Sequence, residues 1–388
     1  MPYQTLHTLN ALRVCMEFCV IHHHVSFLLP PDNAFLSNHN LADNSMSFFF
    51  VLSGFCATYS TLHTDFSDKG ARRAFVVRRL RKVYPAFLTW YLLDLPGTVI
   101  SQNKTGDCPL FWLAIASQPV LLHPWLGCQH IGISNGASWY LGALFWLWGL
   151  FPYLNPKPLF ASHPWLKITA LYILSLGAWL AVYEFNIYYL REVPLLRLCE
   201  FLMGCGAACA LDTPAPNGWG VLLIASTFPA YCAFTLDNPR LWPSEPLHSD
   251  CVLWPRRRTP DVNPTIFLSK FALPFCLVIH FLATAERAGR TPVPCFHWDF
   301  LKTLSTFSLH AYLSHYPVAC FLRTLSDALG LFHWWSLDAL LMACYLAAYL
   351  AAKAEASVVL RVQNVFKAPR AEAFAQPEEQ EEEGLNDP

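Results

Sequence analysis

The chain has 388 residues, of which 54% are hydrophobic and only 14% charged, where soluble domains carry about 25% charged residues. That deficit excludes an ordinary soluble domain, and a formal net charge of -1 gives no reason to expect a nucleic-acid partner. The net figure hides an asymmetry: residues 371–388 hold seven acids and no Lys or Arg, which leaves the body of the chain at +6, with 26 basic against 20 acidic residues.

A bilayer core about 30 Å thick takes roughly 20 apolar residues per helix. Runs of that kind predict ten spans, near 8–29, 44–63, 83–101, 137–155, 165–188, 194–212, 217–236, 265–285, 302–323 and 334–360. The expected fold class is therefore all-α: a polytopic, multi-pass transmembrane helical bundle of residues 1–367, followed by a disordered acidic cytosolic tail, 368–388. The first run lacks a charged n-region and a small-residue cleavage site, so it reads as a retained helix. No period of 20–50 residues recurs.

The first span carries ionisable residues on one face. At about 100° per residue, Arg13 and His24 differ by about 20° around the helix and Glu17 lies about 40° from Arg13, with Asn10 to the side. The rise from Arg13 to His24 is about 16 Å, roughly half the hydrocarbon thickness. Ionisable groups at such depth face a bundle interior or a cavity. The alternative for Arg13 is that it snorkels to the interface and pairs with Glu17 at i+4. His22, His23 and His24 point in three directions, which makes them a poor joint ligand set for a metal.

After the second span comes Lys69, Arg72, Arg73, Arg78, Arg79, Arg81 and Lys82, which places this connection in the cytosol and, with ten spans, both termini as well. The run has two readings. One is anchoring to anionic membrane lipids, worth about 1 kcal/mol per basic residue; the other is a phosphate-binding rim with Arg78 and Arg81 on one helix face. On the opposite side, Asn103-Lys104-Thr105 is a glycosylation sequon in an expected luminal loop, which Cys108 and Cys128 would share as a disulfide or as two free thiols. Segment 109–126 is apolar but broken by Pro119 and Pro124, and reads as a re-entrant loop, with an eleventh span left open. Arg256, Arg257 and Arg258 fall on the wrong side of the charge rule, in a long loop where it weakens. In the sixth span Arg197 and Glu200 stand at i, i+3 and are expected to pair. Lys270 and His280 occupy the eighth. In the ninth, Ser308, Tyr312 and His315 share one face and His310 lies off it. Most cysteines, such as Cys15, Cys205 and Cys276, sit in apolar runs as small hydrophobes.

Five of these blocks, in order, resemble the membrane-bound acyltransferase family 3. Arg13 with His24 looks like its R-x10-H signature, and Phe50-Val51-Leu52-Ser53-Gly54-Phe55 its FVLSGF block. Arg78-Arg79-Leu80-Arg81 before Tyr84-Pro85 resembles its basic element, Arg197, Glu200, Phe201 and Gly204 its R..EF..G block, and Ser308, Tyr312, Leu313, His315 and Pro317 its S...YL.H.P block. There is one departure: Leu144 stands where many members have an acid. The resemblance implies a membrane O-acyltransferase using acyl-CoA as co-substrate, with no bound cofactor, that acylates a hydroxyl-bearing acceptor. Arg78 and Arg81, with Arg79, Ser53 and Arg13, would serve the CoA end; His24 would be the general base, with Arg13 and Glu17 on its face and Tyr312 or His315 as oxyanion donor. The competing class is a proton-coupled transporter or flippase lined by the same polar stripe.

Overall fold

The computed structural model describes residues 5–26, 41–105, 111–126, 134–184, 192–213, 271–329 and 337–372, and every regular element among them is helical. In chain order these are α1 (His7–Ser26), α2 (Leu41–Tyr59), α3 (Lys69–Thr105), α4 (Phe111–Ser117), α5 (Trp139–Leu154), α6 (Pro156–Phe160), α7 (Pro164–Glu184), α8 (Pro194–Cys209), α9 (Ala272–Arg287), α10 (Asp299–Leu329) and α11 (Leu337–Glu372), with short 3-10 turns between some of them. The run 217–236, the residues Cys108, Cys128, Lys270 and Arg256 to Arg258, and the chain from 373 lie outside the described residues.

Three helical stretches are long and apolar enough to cross a membrane: Pro164–Val182, Pro194–Asp212 and Ala339–Val358, with Ser45–Tyr59 a shorter apolar helix. α1, α3 and α10 have the length but not the apolarity, because they carry the ionisable residues singled out above. Two boundaries differ from expectation. α3 starts at Lys69, so the basic run forms its opening turns, and it continues past Pro85 and Pro96 until the sequon Asn103–Thr105 is its last turn rather than a loop. α11 runs on to Glu372, beyond the expected end of the helical domain at 367.

The centre of the bundle is the crossing of α2 with α8. A Cβ on Gly54 would overlap the carbonyl oxygen of Phe201, and one on Gly204 would overlap that of Val51. Only hydrogen-sized side chains let two backbones meet this closely. Around the crossing pack Phe50, Phe55, Phe201, Met203 and Cys276, all fully buried. A second apolar cluster joins α1, α10 and α11 through Ile21, Val25, Ala311, Leu340 and Cys344. α1 has no side-chain cap of its own. Instead Glu286 of α9 reaches over, its carboxylate accepting the N–H of His7 at 2.7 Å and of Thr8 at 3.1 Å. That places a negative charge on a helix N-terminus, where the dipole favours it.

Between α3 and α5 the chain leaves the helical pattern. α4 packs along α3, with the Tyr91 hydroxyl donating to the Ile115 carbonyl at 3.2 Å. The chain then turns at Pro119 and returns through a 3-10 turn at His123–Leu126. Irregular backbone inside an apolar bundle must be given hydrogen-bond partners. Side chains supply them: Tyr84 donates to the Pro119 carbonyl at 2.9 Å and Trp146 to that of Leu121 at 2.9 Å. The apolar stretch broken by the two prolines is thus a short helix, a turn at Pro119 and a 3-10 turn.

Candidate active site

α1 and α10 lie side by side and run in the same direction. Two polar contacts fix the register: the Arg13 guanidinium donates to the Ser305 carbonyl at 2.8 Å, and His24 Nδ1 meets His315 Nε2 at 2.8 Å. A residue on α1 thus faces its counterpart 291 or 292 positions on. The two imidazole planes are parallel within 2°, with centroids 5.0 Å apart, a geometry that allows an in-plane N–H···N hydrogen bond.

The direction of that bond follows from its neighbour. His315 Nδ1 stands 2.6 Å from the Tyr312 carbonyl, which can only accept. So Nδ1 carries the proton and Nε2 of His315 carries a lone pair. His24 must then donate through Nδ1, which leaves the basic lone pair of its neutral ring on Nε2. A backbone carbonyl one turn away therefore sets the tautomer of a histidine on another helix.

Arg13 is half-buried. Its Nε has no partner, and it forms no ion pair with Glu17 within 4 Å, so the i+4 pairing suggested by spacing is replaced by the bond to α10. Glu17 is buried with Arg13 and Ser308 as its polar neighbours, and its Oε1 is without a hydrogen bond. Tyr312 is on the same face, but its hydroxyl donates to the Ala137 carbonyl at 2.7 Å. Its proton is thereby committed. His310, off that face, bridges α3 and α11: Trp90 Nε1 donates to its Nδ1 at 3.5 Å, and its Nε2 meets the Glu355 carboxylate at 2.6 Å.

At the end where α3 begins, Arg78, Arg81 and Lys82 are exposed while Arg79 turns inward. Arg79 donates to Ser60 Oγ at 2.9 Å and to the Cys56 carbonyl at 3.2 Å, closing the C-terminus of α2, and lies over the Phe75 and Trp148 rings. Lys82 feels the charges of both Arg13 and Arg79, so cations from α1 and α3 converge there. Ser53 shares a 3.0 Å hydrogen bond with Tyr140.

Arg197 and Glu200 pair as expected, at 3.3 Å and essentially without exposure. The guanidinium is ringed by Trp179, Phe50 and Trp139 at 4.8, 5.3 and 5.5 Å, and Ser47 donates to the carboxylate at 2.9 Å. Leu144, at the position of the missing acid, is buried in the apolar core. His280 Nδ1 lies 3.1 Å from the Ala207 carbonyl. Among the described residues no three His, Cys, Asp or Glu side chains converge as a metal site would need.

Sequence reasoning passed over a polar knot beside the histidines. Asp94 accepts the Asn135 N–H at 2.6 Å, Gln118 bonds both the N–H and the carbonyl of Ser134, and the Asn135 amide donates to the Leu313 carbonyl at 2.7 Å. The only signal for it was the presence of Asp94, Gln118 and Asn135 in otherwise apolar surroundings.

The arrangement is a hydrogen-bonded histidine pair inside a helical protein, with a group of cations about three turns away along α1. The sequence model of the acyltransferase domain, acyltransferase family 3, matches residues 6–354. The chain belongs to that family. The match covers every described helix up to the first half of α11, so the domain includes both histidines, the basic start of α3 and the segment that turns at Pro119. No curated protein and no solved structure matches the chain. As a member of the acyltransferase family it is an acyltransferase in the general sense, with apolar helices fit for a membrane.

Proposed function

We propose that the protein is a multi-pass O-acyltransferase, in which His24 is the general base that activates an acceptor hydroxyl toward the thioester of acyl-CoA. The observation that carries this is the 2.8 Å bond from His24 Nδ1 to His315 Nε2, because it leaves the base lone pair on His24 Nε2. The acceptor oxygen attacks the thioester carbonyl carbon while its proton passes to His24 Nε2. His315 then faces an imidazolium and stabilises it by accepting its Nδ1–H. Collapse of the tetrahedral intermediate breaks the C–S bond, and the proton moves from His24 to the departing thiolate, so no net proton is consumed.

In this reading the chain has ten spans with both termini in the cytosol, and the basic opening of α3 faces that side. The diphosphate and 3′-phosphate of CoA would meet Arg78 and Arg81, with Arg13, Arg79 and Lys82 deepening the positive field. Glu17 and Ser53 lie along the way from these cations. The acceptor is a hydroxyl-bearing carbohydrate, lipid or small metabolite reaching the histidines from the opposite side, and the acyl group is acetyl or another short chain.

The test is transfer of a labelled acyl group from acyl-CoA by purified protein in detergent or vesicles. His24→Ala is expected to lower the rate about 10²–10⁴-fold with an unchanged thermal melt. Full activity in that variant would remove His24 from the chemistry. Substrate flux across sealed vesicles with no acyl transfer would show a transporter instead.

A further inference from the structure

Within α10, Pro317 has no N–H, so the carbonyl of Leu313, four residues earlier, loses its helical donor. A buried carbonyl left in that state is costly. The donor comes from outside the helix. Asn135, fully buried, places its amide Nδ2 2.7 Å from that oxygen. Next to it, the Tyr312 hydroxyl bonds the Ala137 carbonyl at 2.7 Å. Segment 135–137 thus grips α10 at two points, on the very turn whose Tyr312 carbonyl receives His315 Nδ1–H.

The grip is itself anchored. Asn135 adopts the left-handed conformation, at φ 51, which Asn tolerates better than most residues. Its N–H is held by Asp94 at 2.6 Å, and Asp94 also receives Thr98 Oγ1 at 3.0 Å from its own helix. A line of hydrogen bonds therefore joins α3, through Asn135, to the α10 turn that carries His315.

We propose that Asn135 is a positioning residue for the histidine pair: its amide replaces the helix donor that Pro317 removes and fixes the turn that aims His315 at His24. The consequence for rate rests on the acyltransferase reading above; the consequence for the pair does not.

Asn135→Gly separates the side chain from the backbone, since glycine keeps the left-handed conformation without strain. Two measurements on the purified variant decide the matter: steady-state transfer from labelled acyl-CoA, and the rate of histidine carbethoxylation by diethyl pyrocarbonate, followed peptide by peptide. The expected result is a kcat lowered about tenfold with KM for acyl-CoA unchanged, corresponding to about 1.4 kcal/mol. His315 should react about tenfold faster, while His280, buried against α8 and bonded to a carbonyl in the same way, keeps its wild-type rate. Unchanged kcat with His315 still protected would overturn the proposal. Equal acceleration at His280 would overturn it too, since that reports general loosening. If the wild-type protein transfers no acyl group at all, the enzyme reading fails, and the His315 to His280 comparison still decides whether Asn135 holds the pair.

Discussion

Arg197 and His315 show two ways for a polar side chain to live inside an apolar bundle. Arg197 is buried against Glu200 and three aromatic rings, a setting that fits a structural part in the R..EF..G block. Glu200→Ala would strand a buried cation at a cost of about 3–5 kcal/mol, seen as a large fall in Tm. Replacing both, Arg197→Met with Glu200→Leu, should cost less than that single change. His315 instead joins the Tyr312 carbonyl of its own helix to a histidine of another. Its removal should slow transfer without unfolding, and His315→Ala combined with His24→Ala should be no slower than His24→Ala alone, because the two act as one unit. Helical spacing was enough to put Arg13, Glu17 and His24 on one face, and Ser308, Tyr312 and His315 on another. It could not show that the two faces meet, nor that Arg13 would leave Glu17 for the Ser305 carbonyl, since a choice between an intrahelical and an interhelical partner depends on packing.

Between elements, close approach decides. Gly54 and Gly204 each press against the backbone of the opposite helix, whereas a Cβ on Gly97 or Gly177 would meet no atom beyond its own helix within 4 Å. Gly54→Ala or Gly204→Ala should therefore push α2 from α8 and give protein that melts early or is lost on purification. Gly97→Ala and Gly177→Ala should be accepted. The comparison needs only thermal melts of the four variants in one detergent. Elements with a long apolar run, such as α2, α7 and α8, were legible from the sequence to within a few residues. The stretch around Ser134 and Asn135 was not, because its order comes from side chains of Asp94 and Gln118 far away in the chain, and no local period records that. Its neighbour, the turn at Pro119, could be foreseen from proline alone.

For the molecule as a whole, the field of charge matters more than any one contact. Exposed Arg78, Arg81 and Lys82 stand at the same end as the inward Arg79, and Lys82 also feels the charge of Arg13. Arg78→Ala with Arg81→Ala should raise KM for acyl-CoA, leave kcat near the wild-type value, and flatten the dependence of KM on salt. Equal loss of vesicle binding, with KM unchanged, would assign the pair to lipid attachment instead. The histidine pair has a further implication for how the protein is made. His24 and its partner are 291 residues apart, so a ribosome has completed most of the chain before the second ring exists. Until α10 has been made and has come into register beside α1, the bond that holds His24 against His315 cannot form. On the reading proposed above, prematurely terminated products that stop short of that helix would transfer no acyl group.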